Sequence, residues 1–128
     1  MAIVLVVDDD ALQRNILKII LSDEGYETYI ASSGDEALGI AKTLKPDVVL
    51  SDLWMPDADG LELMNKLISQ ICAPEIIIMS GLGDTLPIRE AVRKGVCRFL
   101  EKPLEKDNVL LNITQVLERR RMTLKRKF

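Results

Sequence analysis

Five residues of this 128-residue chain have types and settings suited to chemistry: Asp8, Asp9, Asp52, Ser80 and Lys102. Asp8 and Asp9 come directly after the apolar run IVLVV, Asp52 after VVLS, Ser80 after IIIM, and Lys102 stands two residues beyond VCRFL. Short apolar runs bounded by turn-forming residues read as buried strands, so four strand ends each deliver polar groups. Three carboxylates gathered at one edge repel one another, and a hard divalent cation is their expected companion. An all-oxygen site with few protein ligands suits Mg²⁺ or Mn²⁺. Lys102 offers a point charge for a phosphoryl oxygen, and the Ser80 hydroxyl can donate to another. A nucleophilic carboxylate, a metal, a cation and a hydroxyl are the parts needed to form an aspartyl phosphate, with catalysis by positioning and charge neutralisation.

Each member also has a plainer explanation. Asp52 alone reads equally well as a turn cap, and Asp10 is best taken as the cap of the first helix. Ser80-Gly81 in isolation is an ordinary turn, and Lys102 an ordinary loop lysine ahead of Pro103. The joint placement of all of them at one edge is what favours a site.

The elements that must position these residues emerge from apolar periodicity. Ile3 to Val7 predicts a central parallel strand. Leu12, Ile16, Ile19 and Ile20 recur at helical spacing and predict a helix from near Asp10 to Gly25. Tyr26 to Ala31 mixes polar and apolar residues, as an edge strand does. Ser33 precedes a helix with Asp35 and Glu36 in its first turn, ended by Pro46. The third strand carries Asp52. Leu61, Leu63, Met64, Leu67 and Ile68 form a third helix, and Ile76 to Met79 a fourth strand. Thr85 and Pro87 open a fourth helix that ends at Gly95. Val96 to Leu100 is a fifth strand, and Leu104 to Leu117 a last helix. Five strands alternating with five helices at this short repeat predict a single doubly wound α/β domain, with one parallel sheet covered on both faces. The first, third and fourth strands are the most apolar and belong in the middle, which favours the flavodoxin-like order 2-1-3-4-5. The switch point then lies between strands 1 and 3, where Asp8, Asp9 and Asp52 fall together.

Composition narrows the function further. A chain of this length with 48% hydrophobic residues supports one domain with a real core. The first apolar run stops at Asp8 with no basic segment before it, so no signal peptide or membrane span is expected, and the expected location is cytoplasmic. The absence of His removes Ser-His and Cys-His nucleophile systems and nearly excludes zinc. Cys72 and Cys97 are expected to be free buried thiols. Residues 1–118 hold 11 basic and 20 acidic side chains, a balance of −9, whereas residues 119–128 hold six basic side chains and no acid. An acidic body argues against direct nucleic-acid binding by the domain, and the basic tail reads as a solvated helix end or the start of a linker.

Taken together, VVDDD, SDLWMPDADGLEL, MSG and FLEKPL, in this order and separation, resemble the receiver domain of a bacterial two-component response regulator. The likeness covers residues 1–118 and leaves 119–128 as a basic helical extension or the start of a linker to an output domain. It implies that Asp52 accepts a phosphoryl group from a phosphohistidine of a sensor histidine kinase or a histidine phosphotransfer protein. It implies Mg²⁺ held by Asp9, Asp52 and the backbone carbonyl of Trp54, with Asp8 acting through water. Lys102 would pair with phosphoryl oxygens, and the Lys102-Pro103 bond would be cis. Ser80 and Phe99 would form the switch, with Phe99 standing where Tyr is frequent in the family. The surface of the fourth helix, fifth strand and fifth helix would carry the output, and in the family it often dimerises. Trp54 and Leu82 stand at positions that in the family flank the path of the attacking water, so the resemblance implies that they slow dephosphorylation. Such a protein is no enzyme beyond catalysing its own phosphorylation and dephosphorylation. An aspartyl phosphatase would want a similar site, but it resembles a DxDxT pattern with a cap insertion, and here Trp54 and Pro56 occupy the later positions. An interaction domain of the same fold that works without phosphorylation is the other alternative.

Overall fold

The computed structural model describes residues 2–55, 60–70, 72–81 and 86–127, the last four of them as backbone only. In chain order the elements are β1 (Ile3–Val7), α1 (Ala11–Asp23), β2 (Glu27–Ala31), α2 (Gly34–Leu44), β3 (Val48–Asp52), α3 (Gly60–Ile68), β4 (Glu75–Ser80), α4 (Leu86–Arg93), β5 (Arg98–Glu101) and α5 (Lys106–Lys127). All five strands are parallel, in the order β2-β1-β3-β4-β5, so the expected doubly wound sheet is the one observed. β1, β3 and β4 are buried on both sides, which is why their sequences are continuous apolar runs instead of alternating ones. Leu5, Val7, Val49, Ile76 and Ile78 face α2, α3 and α4. Val4, Val6, Leu50, Ile77 and Met79 face Leu17 and Leu21 of α1 and Val109, Ile113 and Val116 of α5.

Helix ends set several boundaries that periodicity alone misplaced. Gly25, at φ +93°, closes α1 with its own N–H on Ser22 and the Tyr26 N–H on Leu21. Gly95, at φ +75°, closes α4 in the same way, with its N–H on Val92 and the Val96 N–H on Ala91. Both are two-bond glycine caps that consume the next residue. β2 therefore starts at Glu27 and β5 at Arg98, not at Tyr26 and Val96. α2 ends at Leu44 and is capped just before Pro46 by Lys45, in the left-handed region at φ 50°.

Three expectations need correction. The stripe chosen for α1 is largely solvent-facing: Leu12 is 69% exposed and Ile19 62%, while Leu17 and Leu21 are the residues that pack on the sheet. A helix apolar on two sides has two stripes of the same period, and spacing does not say which one meets the sheet. Cys97 is buried, and that burial pushes its thiol up to about 11, but Cys72 is exposed. α5 continues ten residues past Leu117, as the expected basic helical extension, but two arginines of that stretch are anchored instead of solvated. Arg119 donates to the Gly95 carbonyl at 2.7 Å and lies 3.5 Å from Glu75. Arg120 donates to the Ala73 carbonyl at 2.8 Å and lies 3.4 Å from Asp47, whose other oxygen accepts the Ile3 N–H at 2.8 Å. Among the described residues no helix is long and apolar enough to cross a membrane.

Candidate functional site

The carboxyl ends of β1 and β3 lie side by side, and the residues just past each strand meet there. Asp8 leaves β1 fully buried, with its N–H bonded to the Ala31 carbonyl of β2 at 3.1 Å. Its Oδ1 accepts the Asp10 N–H at 3.0 Å, and Asp10 caps α1 by accepting from the Leu12 N–H at 3.0 Å. Asp52 is the last residue of β3 and is 8% exposed. One oxygen from each of Asp8, Asp9 and Asp52 lies within 4.8 Å of the others, with Asp9 on the solvent side. Lys102, one residue past β5, brings its Nζ to 3.3 Å from Asp52 Oδ1 and 3.7 Å from Asp8 Oδ2. The sequence-selected acids and the lysine therefore converge.

Burial is the main force on the Asp8 carboxyl and pushes its pKa above the ordinary value of 3.8. The Asp10 N–H and Lys102 act in the opposite sense, and the charges of Asp52 and Asp9 add to the rise. Asp8 Oδ2 is buried and has no hydrogen-bond partner among the described residues, a costly arrangement for a carboxylate oxygen. A hard cation would satisfy it, and three oxygens within 4.8 Å are the donor chemistry such an ion takes. The residues present fit a divalent metal.

The remaining candidates sit around this centre. Ser80 ends β4, buried, and its carbonyl accepts the Lys102 N–H at 2.9 Å, which ties the lysine's backbone to the neighbouring strand. The Lys102-Pro103 peptide is cis. Trp54 is two residues past Asp52 and 51% exposed. Phe99 is half-buried on β5, beside a cleft of about 400 Å³ formed with Leu86, Ile88, Val92 and Arg93 of α4. Thr85, Leu82 and Pro56 lie outside the described residues.

Two contributors went unnoticed in the sequence. Gly60 opens α3 and donates its N–H to the Leu53 carbonyl at 2.6 Å. A Cβ there would stand 2.7 Å from the Asp52 carbonyl oxygen and 3.0 Å from the Leu53 Cα, so only glycine fits beneath the end of β3. Arg14 donates through Nη1 to the Asp8 carbonyl at 2.8 Å. Helical side chains lean toward their N-terminus, so an arginine one turn inside a helix that starts at a site is the signal that could have found it.

The fold and this edge together define a receiver domain. The family model for the response regulator receiver domain matches residues 4–114, and the chain belongs to that family, in its CheY type. The chemotaxis protein CheY of Thermotoga maritima is 34% identical over 114 residues, which span 88% of this chain and 95% of that protein. Among solved structures, a CheY-like receiver domain protein from Methanospirillum hungatei superposes with a TM-score of 0.89 at 26% identity, covering 96% of this chain and 98% of the other. NtrX from Brucella abortus gives 0.88 at 33% identity over 97% of this chain, but only 28% of NtrX is covered, so the same unit also occurs inside longer proteins.

Proposed function

We propose that this chain is a phosphorylation switch in which Asp52 takes a phosphoryl group from a phosphohistidine on a sensor histidine kinase or a histidine phosphotransfer protein. The observation that carries the reading is Lys102 Nζ at 3.3 Å from Asp52 and 3.7 Å from an otherwise unpartnered Asp8 oxygen, inside a three-carboxylate cluster. An Asp52 oxygen attacks phosphorus; the P–N bond to the donor imidazole breaks, and that nitrogen leaves carrying a proton. Lys102 stays beside the new phosphoryl oxygens and offsets their charge, and the Ser80 hydroxyl donates to another of them. Asp8, Asp9, Asp52 and the Trp54 carbonyl would hold Mg²⁺ or Mn²⁺, which when bound neutralises phosphoryl charge. Hydrolysis returns the Asp52 carboxylate and inorganic phosphate, so the chain catalyses only its own phosphorylation and dephosphorylation.

The output is a change in the α4, β5 and α5 surface, with Ser80 drawn toward the phosphoryl group and Phe99 moving into the space it leaves. The apolar cleft beside Phe99 supports this, because it gives the ring somewhere to move from. Residues 119–128 would lead toward an output domain in a longer protein, as the partial coverage of NtrX suggests. The site of action is the cytoplasm.

The test is intact-protein mass after incubation with acetyl phosphate and Mg²⁺. One added phosphoryl group is expected in the native chain, and none without Mg²⁺ or in Asp52→Ala. Trp54→Ala should shorten the lifetime of the same adduct. No adduct under any of these conditions would mean an interaction domain that works without phosphorylation.

A further inference from the structure

Arg14 is half-buried on the first turns of α1 and takes no part in the chemistry above, yet its side chain reaches back to the cluster. Its backbone N–H donates to the Asp10 carbonyl at 3.0 Å, and its Nη1 donates to the Asp8 carbonyl at 2.8 Å. That carbonyl belongs to the peptide group joining Asp8 to Asp9. On the Asp8 side the chain is already fixed, by the Asp8 N–H on Ala31 and by Oδ1 on the Asp10 N–H. Asp9, on the other side, has an exposed carboxylate, and its direction depends on how the peptide plane between the two residues is turned. Rotating that plane would swing the Asp9 carboxylate out of the cluster while leaving the buried Asp8 in place.

We infer that Arg14 is a positioning residue for divalent-cation binding: its guanidinium holds the Asp8–Asp9 peptide so that the two carboxylates stay convergent. The inference rests on the metal-site reading above and deepens it. Charge alone predicts the opposite outcome, because an arginine beside the cluster repels a cation, and removing it would tighten binding, most strongly at low salt. The sign of the effect therefore separates orientation from electrostatics. Groups that orient ligands from outside the coordination sphere are typically worth about 10–100-fold in metal affinity.

The experiment is a calorimetric Mg²⁺ titration of the full chain, repeated by following Trp54, the single tryptophan, at low and high salt. Arg14→Met and Arg14→Lys are run beside the native protein, with thermal melts to confirm that each is folded. Arg14→Met is expected to bind Mg²⁺ about tenfold more weakly at both salt concentrations. Arg14→Lys keeps a donor and should recover most of the loss. Binding by Arg14→Met at native or higher affinity would overturn the role of Arg14 while leaving the metal site standing. A Lys variant as weak as the Met variant would also overturn it, by marking the loss as damage to α1. A native chain that binds no Mg²⁺ would remove the metal site itself and this inference with it.

Discussion

The two edges of the same sheet treat their charges in opposite ways. At the amino edge, Asp47 and Glu75 are each matched to an arginine of α5, the arginines' further donors go to the Ala73 and Gly95 carbonyls, and Asp47 also accepts the Ile3 N–H. At the carboxyl edge, Asp8, Asp9 and Asp52 crowd together with Lys102, and among the described residues a buried Asp8 oxygen is left without a hydrogen bond. Folding accounts for most of the first edge, since its pairs hold the last helix onto the sheet; among the described residues Arg120 Nε there is buried without a hydrogen bond, but it lies 3.4 Å from the opposite charge of Asp47. Folding does not explain the second, where the arrangement is unfavourable until something positively charged arrives. Within a single fold, charges that serve structure are matched, and charges that serve a ligand are left partly unmatched.

The largest effect that would sharpen this contrast is at Asp8. Its folded pKa is raised above 3.8, so stability is highest below that value and falls as pH climbs through the window up to the raised pKa, because the folded state keeps a proton that the unfolded chain has lost. Asp8→Asn removes that loss. Without metal, the variant should melt at or above the native temperature at neutral pH, and its advantage should shrink as the pH falls to about 4. With Mg²⁺ at about 100 times its dissociation constant, the native chain gains about 2.7 kcal/mol, or roughly 10 °C in melting temperature. Asp8→Asn should gain almost none. A variant less stable than native without metal would show that the cluster is balanced for folding, as the other edge is. Gly60→Ala comes next: a methyl 2.7 Å from a backbone oxygen cannot be relieved by a side-chain shift, so about 1–3 kcal/mol of stability should be lost in a urea melt, with Mg²⁺ affinity falling as the end of β3 moves.

The carboxyl edge was also the more legible of the two in the sequence. Asp8, Asp52, Ser80 and Lys102 lie at or just past strand ends, and strands buried on both faces announce themselves as unbroken apolar runs, so the topology brought these residues together before any distance was known. The elements of the sheet order were readable for the same reason. Arg14, Gly60, Asp47 and Arg120 were not. Each acts through a backbone atom distant in sequence or through the space around it, and neither has a period. Arg120 is 47 residues from the carbonyl it reaches, and a run of six basic residues without an acid looks the same whether its members are solvated or anchored. The face of α1 escaped detection because six large apolar residues in thirteen define two stripes, and only packing selects Leu17 and Leu21.

The smallest effect tests whether the amino edge deserves its part in the contrast. Arg120→Met keeps most of the aliphatic length and removes the guanidinium, leaving Asp47 with only the Ile3 N–H and the Ala73 carbonyl without its side-chain donor. Hydrogen bonds to charged groups are worth about 1.5–3 kcal/mol, but both partners here are partly solvated, which brings the expected loss to about 1–2 kcal/mol in a urea melt. The fitting comparator is Glu62→Gln, which breaks an exposed pair with Lys66 at 3.6 Å on α3 and should cost no more than about 0.5 kcal/mol. Mg²⁺ affinity should be unchanged in both, because neither lies at the carboxyl edge. If Arg120→Met costs no more than Glu62→Gln, Arg120 is an ordinary surface charge and the helix is held mainly by its apolar face, with Val109, Ile113 and Val116 at its centre. If Arg120→Met also alters Mg²⁺ binding, the two edges are coupled through α5, and matched and unmatched charges belong to one network.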